Sequence, residues 1–104
     1  MEICDKNGDW QTIKPDKSVV LINSGDLLEH WTNGKYRSTL HRVKPMNRGQ
    51  ERFSIAFFVD PDSDTEVKVL DSFIDADTPR KFSDVNAGDY IRERLENSHN
   101  NLYK

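Results

Sequence analysis

Three residues have types and spacing suited to chemistry: His41, and the pair Arg52 and Ser54, which stand two apart. On a strand, Thr39, His41 and Val43 share one face while Leu40 and Arg42 take the other, so the imidazole has small neighbours on its own side. Arg52 and Ser54 also share a face, and the apolar run Ile55-Ala56-Phe57-Phe58-Val59 that follows them reads as strand. A guanidinium fork beside a hydroxyl suits a buried carboxylate, which it binds bidentately and with charge assistance. Between the two groups, Lys44-Pro45-Met46-Asn47-Arg48-Gly49-Gln50 is rich in turn formers. A hairpin return there is expected to set His41 and the Arg52/Ser54 pair on neighbouring antiparallel strands.

The elements that must position these groups are mostly strands. Glu2 to Cys4 and Trp10 to Ile13 flank Asp5-Lys6-Asn7-Gly8, whose Asn-Gly is a hairpin signal. After a turn at Pro15-Asp16-Lys17, the run Ser18-Val19-Val20-Leu21-Ile22-Asn23 has the continuous apolar character of a core strand covered on both faces. Asp26-Leu27-Leu28-Glu29 has capping-box spacing, predicting a short helical turn to His30 or Trp31 that stops at Asn33-Gly34. Strands are expected at Arg37 to Val43, Arg52 to Val59 and Glu66 to Leu70. Asn86-Ala87-Gly88-Asp89 reads as a cap, and Ala87, Ile91 and Leu95 fall on one face of a helix through about Glu96. Asn23 and Asp26 are explained by ending a strand and capping a turn. Trp31 and Tyr36 read as packing residues.

From Gly8-Asp9-Trp10 through Asn23-Ser24-Gly25-Asp26-Leu27-Leu28, Trp31-Thr32-Asn33-Gly34, His41-Arg42-Val43 and Arg52-Phe53-Ser54-Ile55, the chain resembles the C-terminal half of the iron(II)- and 2-oxoglutarate-dependent dioxygenases of the isopenicillin N synthase-like group. The resemblance extends over Pro79-Arg80-Lys81-Phe82 and Ala87-Gly88-Asp89-Tyr90-Ile91, and so over nearly all of residues 1–104. It implies a mainly all-β fold, the C-terminal part of a double-stranded β-helix (jelly roll) closed by a C-terminal α-helix. In that family a His-x-Asp pair and a distal His bind iron(II), and an Arg-x-Ser pair holds the distal carboxylate of 2-oxoglutarate. By resemblance His41 is the distal iron ligand, and Arg52 with Ser54 binds the cosubstrate. The implied reaction oxidises a small organic substrate with molecular oxygen while 2-oxoglutarate becomes succinate.

No His-x-Asp occurs in the sequence; in the family that pair precedes the part matched here. A facial triad needs all three protein ligands. Neither His30, in a helical turn, nor His99, in a polar tail, has a carboxylate at a spacing that would replace them. The expectation is a partial dioxygenase domain spanning 1–104 that is inactive alone, the competing class being a non-enzymatic remnant serving as a binding or interaction module. With 35% apolar and 32% charged residues, the chain is lean for a self-sufficient core. Its apolar strands are expected to be left uncovered and to drive self-association.

A single cysteine, Cys4, permits no internal disulfide and favours a reducing compartment, hence the cytoplasm. No segment has the length and apolarity of a signal or a membrane span. The basic residues Lys35, Arg37, Arg42, Lys44, Arg48 and Arg52, facing only Glu51 nearby, could suggest a nucleic-acid footprint. A net charge of −3 and opposed strand faces argue against it. Asp60-Pro61-Asp62-Ser63-Asp64 begins like a calcium loop, but Thr65 stands where glycine is needed and Asp71 where the closing glutamate belongs. A solvated loop is expected there.

Overall fold

A computed structural model describes residues 1–14, 16–44, 49, 51 and 53–102. Short strands and extended segments lead to a C-terminal helix, the outline the sequence predicts. Strands β1 (Glu2–Cys4) and β2 (Trp10–Thr12) pair antiparallel with Cys4 opposite Trp10. Their turn forms as the Asn-Gly signal predicts. The Asp5 carboxylate accepts from the backbone N–H groups of Asn7 and Asp9 at 2.8 and 3.1 Å, while Gly8 takes φ +90°, a conformation open to a residue without Cβ.

On its other edge β1 pairs antiparallel with β3 (His41–Arg42), which sets Glu2 opposite Arg42 and Ile3 opposite His41. The sheet order is therefore β2-β1-β3. A second sheet pairs β4 (Glu66–Val67) with β5 (Val85–Asn86). Helix α1 (Asp26–Trp31) and the start of helix α2 (Ala87–Leu102) pack on it. Leu27, Val67 and Ala87 are the buried centre, with Trp31, Val85, Tyr90 and Ile91 around them. The Asn86 side chain caps α2 by accepting from the Asp89 N–H at 3.0 Å, and α1 ends where Asn33 and Gly34 turn left-handed at φ +52° and +84°.

Several expectations fail. Residues 18–23 form no strand, and Val20 and Ile22 are exposed. A run that is apolar on both faces becomes a strand only where neighbours offer backbone partners and cover, and here no described segment does. Residues 53–59 are likewise unpaired, with Phe53, Ile55, Phe57, Phe58 and Val59 all exposed. The expected hairpin between the His41 and Ser54 strands does not form among the described residues, where β3 pairs with β1; most of its expected turn, 44–50, lies outside them. Strand character in Arg37 to Val43 and Glu66 to Leu70 shrinks to the two residues of each that find a partner. The Asp26–Glu29 capping box does not form. Gly25 is the N-cap with no side-chain bond, and Asp26 is the first helical residue. Tyr36 is exposed instead of packed. Helix α2 runs beyond Glu96 to Leu102. No described helix is long and apolar enough to cross a membrane.

Candidate metal-ligand strand

His41 lies on the face of β3 that borders an open groove with Ile3, Ile13, Leu21, Ile22 and Thr39. Its Nδ1 stands 2.9 Å from the Thr39 carbonyl oxygen. A carbonyl can only accept, so in the neutral ring Nδ1 carries the proton and Nε2 keeps the free lone pair. That tautomer leaves Nε2 able to bind a metal, with the ring orientation fixed by a bond from the other nitrogen. Thr39 shares the His41 side as the period of two predicts.

The opposite face of the same strands carries charge. Glu2, only 5% exposed, receives Arg42 Nε and Lys44 Nζ, each at 2.8 Å. Hydrogen bonds from Lys44 and then Arg42, together with their charges, hold the Glu2 carboxyl below its ordinary range against the opposing effect of desolvation. The Arg42 guanidinium also lies 3.9 Å from the Trp10 ring centroid, a stacked cation–π geometry. The counter-charge to this part of the basic run is thus Glu2, forty residues upstream, and not Glu51. Local pattern does not signal it, because the contact depends on β1 pairing with a strand forty residues on.

The remaining expected site residues are not assembled around His41. Ser54 is exposed in the unpaired 53–59 segment, and Arg52 lies outside the described residues. Among the described residues no three His, Cys, Asp or Glu side chains converge as a metal set. This chain's described residues therefore do not by themselves fit an iron ion.

A second polar cluster joins the two helices. The Asp26 carboxylate accepts from Tyr90 Oη at 3.0 Å and from Arg94 Nε at 3.2 Å. Burial opposes ionisation of Asp26, but hydrogen bonds from Ser38 and Tyr90 and the Arg94 charge outweigh it and hold the carboxyl below its ordinary range. Burial and the Asp26 carboxylate push the Tyr90 hydroxyl up. His30 stacks on Phe82 with ring centroids 4.5 Å apart, and its Nδ1 is buried without a partner. Local sequence pattern gave His30 and Asp26 only a helical turn and a cap. Apart from Ser38, their partners Tyr90, Arg94 and Phe82 stand more than fifty residues away, beyond any local pattern. The acidic 60–64 segment is largely exposed, as expected of a solvated loop, and it borders α2: the carbonyls of Ser63 and of the adjoining Thr65 accept from the N–H groups of Gly88 and Ala87, both at 2.9 Å.

Known proteins share these features of sequence and fold. Residues 1–61 match the family model of the 2OG-Fe(II) oxygenase superfamily. The chain is 42% identical over 87 residues to 1-aminocyclopropane-1-carboxylate oxidase 3 of Arabidopsis thaliana, covering 84% of this chain and 26% of that protein. Kihadalactone A synthase LFS of Citrus sinensis is 38% identical over 99 residues, covering 91% and 29%. Among solved structures, a 2OG-Fe(II) oxygenase family protein from Caulobacter crescentus superposes with TM-score 0.80 at 35% identity, over 92% of this chain and 33% of that one. A full-length Neurospora crassa protein solved in complex with alpha-KG superposes with TM-score 0.78 at 32% identity, over 91% and 33%. The chain thus spans a third or less of the length of each of these proteins. With a family model covering more than half of its residues and relatives matched over most of the rest, the chain belongs to the 2OG-Fe(II) oxygenase superfamily.

Proposed function

We propose that this segment contributes the distal ligand and the cosubstrate pair of an iron(II)/2-oxoglutarate-dependent dioxygenase of the isopenicillin N synthase-like group, set on the C-terminal strands of a jelly roll. His41 would hold the iron through Nε2. Arg52 and Ser54 would hold the distal carboxylate of 2-oxoglutarate, so that its keto-acid end meets the metal. Iron(II) with its cosubstrate supplies oxygen activation in this superfamily, and the relatives' names point to small organic substrates. The observation that supports the reading is that His41 borders the groove with its Nδ1 held at the Thr39 carbonyl, so that Nε2 is not used in that bond. The lone Cys4 supports a reducing, cytoplasmic setting.

The 104 residues contain no His-x-Asp, so the chain alone holds too few ligands for iron and no oxidation step is assigned to it. Alone it is catalytically silent. A second reading is a binding or interaction module that keeps the strands without the chemistry. Replacing the matching third of the Caulobacter relative with this chain separates the two. Succinate formation by the chimera that disappears with His41→Ala supports the dioxygenase reading. A folded chimera that binds 2-oxoglutarate yet never turns over, or turns over equally with His41→Ala, overturns it.

A further inference from the structure

Strand β3 has two residues and meets β1 through two residue pairs, Glu2 with Arg42 and Ile3 with His41. So short a ladder specifies its register weakly, and a slip by one residue would turn His41 from the groove to the opposite face. One further backbone bond, from the Cys4 N–H to the Leu40 carbonyl at 2.8 Å, extends this ladder, and side chains add to what holds the register. On the face away from His41, Glu2 meets Arg42 directly across the ladder and Lys44 two residues further on, each at 2.8 Å. Thr12 Oγ1 stands 3.4 Å from the same carboxylate. Trp10 covers the Arg42 guanidinium at 3.9 Å. A one-residue slip would set Glu2, whose side chain is 7% exposed, against His41 or Val43 and strand a buried carboxylate without its cations. That cost is far larger than the loss of one exposed ion pair.

We infer that Glu2 is a positioning residue for His41: with Arg42, Lys44 and Trp10 it locks β3 in the register that turns the His41 imidazole to the groove. The inference rests on reading His41 as the ligand-bearing residue. It adds that the acid which sets the ligand's direction lies on the neighbouring strand, on the face the ligand does not use. Glu2 acts through Arg42 and Lys44, on the face away from His41.

The test reads His41 without metal. In the isotope-labelled chain, small enough to measure as monomer or dimer, long-range proton–nitrogen spectra at a pH where imidazoles are neutral should show His41 as the single Nδ1–H tautomer. A cross-strand contact from Ile3 to His41 should accompany it. In Glu2→Gln the tautomers should mix and the Ile3–His41 contact should fall several-fold, while the Ile3–Gln11 and Val67–Val85 contacts persist. The charge-swapped pair Glu2→Arg with Arg42→Glu should restore the contact, a rescue that a merely space-filling role would not give. An unchanged His41 in Glu2→Gln overturns the proposal. If Glu2→Gln also loses the Val67–Val85 contact, Lys44→Met decides, because Lys44 is exposed and its replacement removes one of the two cations. Partial tautomer mixing supports the lock, and no change overturns it. Failure of His41 to bind metal would leave every one of these signals in place, so the two readings fail separately.

Discussion

The buried carboxamide of Asn33 accepts a 2.8 Å hydrogen bond from the backbone N–H of Lys81. Its Nδ2 donates in turn to the carbonyls of Phe73 and Pro79 at 3.2 and 3.1 Å. One side chain, 2% exposed and just past α1, thus ties down two points of the chain about forty or more residues away. The isosteric change Asn33→Asp replaces the donor with a carboxylate facing two carbonyls. We expect a loss of about 2–4 kcal/mol, from unsatisfied buried acceptors and a buried charge. Because protonation restores a donor, the defect should shrink as pH falls towards about 4, the ordinary carboxylate range. Denaturant melts of both proteins across that range check it, and a pH-independent difference would show that the Asn33 donors carry no weight.

Helix α2 meets the acidic loop through glycine. A Cβ on Gly88 would stand 2.7 Å from the Ser63 carbonyl oxygen and 3.0 Å from its Cβ. The backbone there cannot yield cheaply, because Gly88 and Ala87 N–H groups both bond to that loop. Gly88→Ala should therefore destabilise by about 1–3 kcal/mol, the range of overpacking, despite alanine's higher helix propensity. A thermal melt raised by the substitution would show that the loop moves aside freely.

Legibility in the sequence followed the reach of each signal. The Asp5–Gly8 turn, the Asn33–Gly34 stop and the Asn86 cap were readable because their partners lie close along the chain. The His41 side of β3 was readable because alternation sets it. What the sequence concealed were long-range partners: Glu2 for Arg42, Tyr90 and Arg94 for Asp26, Lys81 for Asn33. Apolar runs misled for the converse reason. Residues 18–23 and 53–59 have strand composition, but a strand is a pairing, and composition carries no information on whether a partner is present.

The β2-β1-β3 sheet should be acid-sensitive. Glu2 and Asp5 are both held below their ordinary values of 4.5 and 3.8, Glu2 chiefly by Lys44 and Arg42, Asp5 chiefly by the Asp9 and Asn7 N–H groups. Acids depressed in the fold bind protons more readily when unfolded. Their contribution is fully present above the unfolded value and is lost as pH falls through the folded one. Cross-strand contacts of β1 with β2 and β3 should accordingly weaken below about pH 4, while Leu27, Val67 and Ala87 stay packed. Carboxyl titration by NMR checks it; an ordinary Glu2 midpoint, or simultaneous loss of both sheets, contradicts it.

Cosubstrate binding should depend on Arg52 if the carboxylate pocket forms without iron. A charge-assisted fork is worth about 1.5–3 kcal/mol, so Arg52→Leu should weaken 2-oxoglutarate binding about ten- to hundredfold. Calorimetric titration of the two proteins measures this. Equal affinities would mean that Arg52 and Ser54 do not meet the ligand in this chain.

The largest departure from an ordinary small domain is surface. A folded monomer of 12.1 kDa should expose about 6,000 Å², whereas this chain exposes 9237 Å². Two unpaired segments expose apolar side chains: Val20 and Ile22 are 83% and 87% exposed, and Ile55 and Phe57 are 99% and 89%. Such segments offer free backbone donors and acceptors together with strand-forming side chains, the combination that templates pairing between chains. An excess of roughly 3,000 Å² per chain by the same scaling exceeds what one partner contributes to most permanent interfaces. We therefore expect the isolated chain to self-associate, with Ile55→Lys and Phe57→Lys together reducing association without disturbing the Leu27–Val67–Ala87 core. Sedimentation across a dilution series, paired with thermal melts, measures both. A concentration-independent monomer that melts cooperatively above ordinary mesophile temperatures would sink the expectation, and would mean that residues 18–23 and 53–59 fold back to cover one another in solution.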